Sequence, residues 1–357
     1  MRDWRVDTLR GYFLVCITID HLYNPLRWFT QYTFGYASSP DGFIFLSGLV
    51  SSWVYLKVSA RYGSAAMRDK VFRRAIVIYL THITIVTLSG LAALFPSFDV
   101  QKVPSVLQAF AAGALLKNHG EIEKILPLYC ILLAVTPLVF REFKAGRAWL
   151  VGALSASLWV AAQCGLGGSS AFTLHPAGFF NLFAWQAYFV AGQYLGFRGV
   201  QFGECGLKKS TRWQLLCLAV AIPLLIDRHL ALLGRHPLLA FSSQPNHNPV
   251  RFLDAACLGY LVWCVPRTVD LKLMKNGFCR FINFLGGHSL QVVAFSLLLT
   301  SIEKHAMKGF SGEARLIVAV LNVASLWIPA KIHQLWREGV FSRASTKAPR
   351  DRAQAVS

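Results

Sequence analysis

The sequence predicts an all-α polytopic membrane protein, a bundle of about ten transmembrane helices with both termini cytoplasmic. Three observations predict it. Of the 357 residues, 55% are hydrophobic and only 15% charged, and the mean hydropathy is +0.45, a balance that suits a membrane-embedded chain better than a soluble domain. Apolar runs of spanning length recur along the chain, and at that apolarity helices are the spanning element. The 36 Lys and Arg also alternate in density loop by loop: 25 fall on one side of a ten-span map, 10 on the other, and Arg10 lies within the first span. Such a bias places the basic side in the cytoplasm. It also accounts for the net charge of +19, which in a soluble chain would point to nucleic acid; no nucleic-acid partner is expected. The eight cysteines show no CxxC and no metal or redox spacing, so no metal site is predicted. The N-terminus leads straight into a full-length span and is expected to be retained.

The spans fall at roughly 7–24, 42–57, 74–95, 125–140, 148–165, 179–197, 213–227, 250–266, 281–301 and 314–333. They make up a membrane domain over 1–335, followed by a basic, disordered cytoplasmic tail over 336–357. The first span, WRVDTLRGYFLVCITIDHLY from Trp4, carries Asp7, Arg10, Asp20 and His21. Ionisable groups within a span are costly and mark functional paths. Eleven residues at about 100° each return almost to the same face, so Arg10 and His21 share a stripe, on the order of 16 Å apart along the axis. Asp7, three residues before Arg10, can lie beside it. A histidine suits proton transfer near neutral pH; an arginine suits a phosphate or carboxylate. Asp20 adjoins His21, but neighbouring helical residues diverge, so a direct pair is not assured by sequence.

In the second span, FIFLSG brings Ser47 and Gly48, small residues that permit close helix packing, with Asp41 at its outer mouth. The fourth begins LPLY, where Pro127 fits a first helical turn and Tyr129 can bond a ligand or anchor at the interface. The sixth, FFNLFAWQAYFVAGQYLG, holds Asn181, Gln186 and Gln193; Gln186 and Gln193 share a face and either line a cavity or bond across helices. Outer segments at 25–41 and 228–249 are rich in aromatics, histidines and amides, Asn248 among them, as sugar sites and membrane-interface belts both are. The eighth span opens NHNPVRFLD, with Arg251 and Asp254 three apart and able to pair. In the ninth, His288 and Ser289 follow a glycine pair in LGGHSL; adjacency on a helix does not give a Ser–His nucleophile its geometry.

Taken in order, RVDTLRGYFLVCITIDHL, FGYASSPDGFIFLSG, LPLYCILLAVTP, FFNLFAWQAYFVAGQ, NPVRFLDAACLGYL and LGGHSLQV resemble the OpgC family, inner-membrane proteins that succinylate osmoregulated periplasmic glucans and look like a branch of the acyltransferase-3 superfamily. The resemblance runs from about Arg5 to about residue 335, and Arg10 with His21 is similar to the superfamily's Arg-x10-His signature. The chain departs from the family pattern at Ser38 and Leu182, where the family has an acidic residue and a proline, and at Asp41, where it has Glu. The resemblance implies a multi-pass protein of a bacterial inner membrane, working in the lipid bilayer with no permanently bound cofactor. It implies an acyl-CoA donor, succinyl-CoA first, a periplasmic glucan hydroxyl as acceptor, and the glucan-synthesis machinery as a partner. The expected catalytic residues are His21, Arg10, Asp7 and Asp20. Those expected to bind substrate are Asp41, Ser47, Tyr129, Asn181, Gln186, Gln193, Asn248, Arg251, His288 and Ser289. Transfer of another acyl group such as acetyl to a surface sugar, and a glycan or lipid-linked carrier, remain the alternatives.

Overall fold

A computed structural model describes residues 3–21, 24–31, 34–92, 107, 110–111, 113–114, 125–166, 181–202, 207–232, 248–307 and 310–339. Every regular element among these is a helix: α1 (Trp4–Asp20), α2 (Arg27–Gln31), α3 (Ser39–Ala92), α4 (Ile125–Lys144), α5 (Ala148–Gln163), α6 (Leu182–Phe202), α7 (Thr211–Leu232), α8 (Pro249–Cys264), α9 (Arg267–Lys275), α10 (Gly277–Gly287), α11 (Ser289–Ala306), α12 (Gly312–Ser325) and α13 (Trp327–Arg337). The described part of each span expected from sequence lies mostly on one of these helices or on a pair of them. Among the described residues four helical stretches, Ser39–Leu91, Ile125–Lys144, Thr211–Leu230 and Gly312–Arg337, are long and apolar enough to cross a membrane. A fifth exists if the bent pair Gly277–Gly287 and Ser289–Glu303 counts as one. Large apolar side chains such as Ile76, Leu80, Leu138, Leu154, Leu215, Ile226, Ile317 and Leu321 face outward, on a scale that a water-soluble monomer avoids and a bilayer accepts.

Two boundaries differ from the sequence map. The segment between the second and third spans is not a loop: α3 is helical throughout except at Gly63, whose φ of 85° and ψ of 169° break it. In one straight helix Tyr55 and Arg74 would be about 28 Å apart, yet they line the same cavity, so the arms fold back on one another at Gly63. Only a residue without Cβ adopts such a φ at no cost. The expected ninth span is likewise not continuous. It bends by 93° at His288, which has φ −120° and ψ 29°, directly after the Gly286–Gly287 pair that ends α10. At the C-terminal end α13 runs to Arg337, and residues 340–357 of the expected tail lie outside the described ones.

Two helix pairs approach until backbones touch. A Cβ added to Gly11 of α1 would sit 1.9 Å from the Ile282 carbonyl oxygen, and one on Gly286 of α10 would sit 1.7 Å from that of Asp7. Between α3 and α6, Gly48 and Gly192 are equally tight, against the carbonyls of Phe189 and Phe45. Small residues act here as close-packing positions; the FIFLSG segment thus packs through Gly48. The core between these pairs is apolar and includes Leu14, Ile44, Leu128, Phe140, Trp185, Phe189 and Leu285. Phe13 of α1 fills the space over Gly42, and Val6 clusters with Leu46 and Leu49. The order of these contacts makes α1 and the first arm of α3 antiparallel.

Candidate functional site

The first helix places the two residues of the predicted stripe. Asp3 caps its start by accepting from the Arg5 N–H at 2.9 Å, and Asn24 closes its end by donating to the Ile19 carbonyl at 2.9 Å. His21 is the C-terminal cap, and its Nδ1 lies 2.6 Å from the carbonyl oxygen of Ile17. A carbonyl only accepts, so Nδ1 carries the hydrogen and the neutral ring presents Nε2 as its basic atom. Asp20, beside it, accepts from the Thr30 hydroxyl, which ties α2 to the end of α1. Almost three turns before Asp20, Arg10 donates from Nη2 to Ser289 Oγ at 2.5 Å, and its guanidinium lies 5.8 Å from the Phe43 ring centre. Asp7 is buried one turn earlier, its carbonyl against Gly286.

Arg10 opens onto a cavity of about 510 Å³, within the usual range for small-molecule sites. Among its lining residues are five fixed cations, Arg10, Lys70, Arg73, Arg74 and Arg337, and two histidines, His288 and His333; no described Asp or Glu lines it. Ser47, Tyr129, His288 and Ser289 from the predicted set lie on its wall with Arg10. The walls come from both arms of α3, from α4, and from the break between α10 and α11, so the Gly63 reversal and the His288 bend together shape it. Five cations gathered around a partly enclosed, low-dielectric space favour an anion. The two histidines meet directly: Nδ1 of His288 is 2.7 Å from Nδ1 of His333, with His333 stacked on Trp336 and Phe284 on the other side of His288.

His333 is the site residue that sequence reasoning missed. An ionisable group at the end of an apolar run was the available signal, the same one that singled out His21. Lys70, Arg73, Arg74 and Arg337 were visible as loop charges, but only the fold gathers them.

A second polar centre forms where α3 begins. Asp41 is 1% exposed and bonds Arg251 from Oδ2 at 3.1 Å and from Oδ1 at 3.1 Å. Arg251 also donates to Ser38 Oγ and lies over the Trp185 ring. The expected Arg251–Asp254 pair is therefore replaced. Asp254 turns to the backbone N–H groups of Tyr36 and Ala37, at 2.7 and 2.9 Å, because those unpaired donors need an acceptor at the turn into α3. Tyr36 donates its hydroxyl to Asp227 at 2.5 Å. Burial, with Asp227 adding to it, pushes that phenol up to about 12. The network pins residues 34–41 to α7 and α8.

The amides predicted to bind substrate hold helices instead of facing the cavity. Gln186 accepts from Ser155 Oγ and donates to its carbonyl, both at 2.8 Å. Gln193 donates to Thr136 Oγ1 at 2.9 Å. Asn181 and Asn248 accept from the N–H groups of Phe183 and Val250 and cap α6 and α8.

A family model described as OpgC protein matches residues 2–338. No curated protein matches, and no solved structure does.

Proposed function

Because the chain belongs to the OpgC family, over residues 2–338, we propose that it is a membrane O-acyltransferase carrying an acyl group, succinyl first, from acyl-CoA to a hydroxyl of a periplasmic glucan. The observation that carries this reading is the cationic cavity ending on Arg10, with no Asp or Glu among its described lining residues; Arg10 shares its helix with His21. In this reading ten spans place both termini and the Lys70, Arg73, Arg74 and Arg337 side in the cytoplasm of a bacterial inner membrane. The CoA phosphates lie against those four cations, as phosphates favour guanidinium and ammonium groups. Arg10, held by Ser289, orients the donor, and the pantetheine arm runs on past Tyr129 and Ser47 to deliver the acyl carbonyl near His21.

His21 lies about 16 Å along α1 from Arg10, towards the acceptor side. Its Nε2 takes the proton from the sugar hydroxyl as that oxygen attacks the acyl carbon. The C–O bond forms, the C–S bond breaks, and the proton passes to the departing thiolate. Transfer runs either directly to the sugar or through an acyl group held on the imidazole; both use the same nitrogen. The network of Asp41, Arg251, Asp254 and Tyr36 shapes the acceptor's approach by fixing the segment that leads into α3.

The test is transfer by the purified protein in lipid nanodiscs, from labelled succinyl-CoA to glucan, with mass spectrometry of the product and acetyl-CoA run alongside. The expected outcome is succinyl transfer that His21→Ala abolishes while thermal unfolding stays at the parent value. Undiminished transfer by His21→Ala overturns the assignment of the base, and transfer of acetyl alone replaces the donor.

A further inference from the structure

A second cavity of about 340 Å³ adjoins the first. His288 lines both, and the smaller is otherwise lined by Trp4, Met274, Arg280, Asn283 and Phe284. Nothing in the catalytic scheme uses it. Its chemistry differs from that of its neighbour: an indole and a phenyl ring, a thioether, one fixed cation, one amide and no carboxylate.

The amide is oriented by its surroundings. Asn283 Nδ2 donates to the backbone carbonyl of Trp4 at 2.9 Å and to Thr8 Oγ1 at 3.0 Å. The Thr8 hydroxyl spends its own hydrogen on the same Trp4 carbonyl, at 2.8 Å, so it accepts from Asn283. Both amide hydrogens are thus committed, and the flipped orientation would set an oxygen against a carbonyl. What Asn283 has left for a ligand is Oδ1, an acceptor. Trp4, with its flat indole, and Arg280, with its guanidinium, line the same cavity.

We propose that this smaller cavity is a purine subsite. It takes the adenine of the nucleotide donor stacked on Trp4, with the 6-amino group donating to Asn283 Oδ1 and a ribose phosphate near Arg280. The proposal rests on the acyl-CoA reading of the larger cavity and extends it. The donor then straddles His288, its base in the smaller cavity, its phosphates between Arg280 and the Lys70–Arg74 face, and its thiol end towards Arg10. Acceptor geometry at Asn283 selects adenine over guanine, which carries a carbonyl oxygen in place of the amino group. Stacking on an indole supplies affinity without regard to the rest of the molecule.

The experiment is calorimetric binding of CoA, adenosine 3′,5′-bisphosphate, guanosine 3′,5′-bisphosphate and pyrophosphate to the full chain in nanodiscs. The parent protein is expected to bind the adenosine compound at least tenfold tighter than the guanosine one. Trp4→Ala is expected to weaken CoA and the adenosine compound by about 5- to 150-fold, the range of one stacked base, and to leave pyrophosphate unchanged. Trp4→Phe recovers most of the loss. The Asn283 bonds run to the Trp4 backbone, so both variants keep them, and a thermal melt checks that the fold is intact. A Trp4 that served only as an interfacial anchor would shift the melt and not the base preference; equal binding of both bisphosphates, or unchanged binding by Trp4→Ala, overturns the subsite while the donor reading stands. Failure of the parent protein to bind CoA overturns both.

Discussion

Replacing Gly286 by alanine tests whether the contact between α1 and α10 sets the site. The added Cβ would lie 1.7 Å from the Asp7 carbonyl oxygen and 2.8 Å from the Gly11 nitrogen. Real Cβ contacts do not fall below 3.0 Å, so the helices must separate by at least 1.3 Å, the difference between 3.0 and 1.7. Ser289 follows three residues later, and the Arg10–Ser289 bond of 2.5 Å stretched by that amount reaches 3.8 Å, beyond hydrogen-bonding range. Overpacking costs about 1–3 kcal/mol, and a lost hydrogen bond to a charged group about 1.5–3 kcal/mol. The expected loss of stability is therefore on the order of 3 kcal/mol. A displacement of about 1 Å at a reacting group lowers turnover on the order of a hundredfold. The assay is thermal unfolding in nanodiscs together with acyl transfer. Gly259 provides the control: it lies in α8 and nothing is within 4 Å of its added Cβ, so Gly259→Ala is neutral or stabilises by up to about 1 kcal/mol through helix propensity. If Gly286→Ala melts and turns over like Gly259→Ala, the argument from backbone contact is refuted.

Three other outcomes are expected. Arg73→Ala with Arg74→Ala raises KM for the donor and flattens the salt dependence of transfer, with kcat at saturating donor changed much less; initial rates against donor concentration at two ionic strengths check this. Arg251→Met leaves Asp41 charged and buried and costs about 3–5 kcal/mol, whereas Asp41→Asn combined with Arg251→Met costs less than the sum of the single changes, which a double-mutant unfolding cycle measures. The Tyr36 phenol, raised to about 12, binds its proton more tightly folded than unfolded. Its contribution is complete below the ordinary tyrosine value near 10 and is lost as pH rises towards 12. Unfolding of Tyr36→Phe followed from pH 9 to 12 is expected to fall less steeply than that of the parent.

What was legible in the sequence was whatever a single helix decides. The helical period alone placed Arg10 and His21 on one stripe, and the apolar runs located every helix that carries a site residue. Partners on other helices were not legible. Local spacing offered Asp254 to Arg251, but tertiary packing brought Asp41 to it and left Asp254 to the Tyr36 and Ala37 backbone. Gln186 and Gln193 were open between cavity and cross-helix bonding, and the fold chose the latter through Ser155 and Thr136. The glycine pair before His288 was visible, but the 93° bend was not, because the chain is apolar on both sides of it. The basic residues of the cavity were read from loop charge; their convergence depends on α3 reversing at one residue.

That reversal has a consequence for how the chain enters a membrane. With both arms of α3 joined through Gly63 alone, no loop exists to let one arm thread independently of the other, so the pair is one insertion unit with a single choice of direction. Lys57, Arg61, Arg68, Lys70, Arg73 and Arg74 flank the tip, and each resists passage through hydrocarbon. Three of the charges that line the larger cavity, Lys70, Arg73 and Arg74, thus also sit beside the tip that would have to cross if the hairpin inserted the other way round.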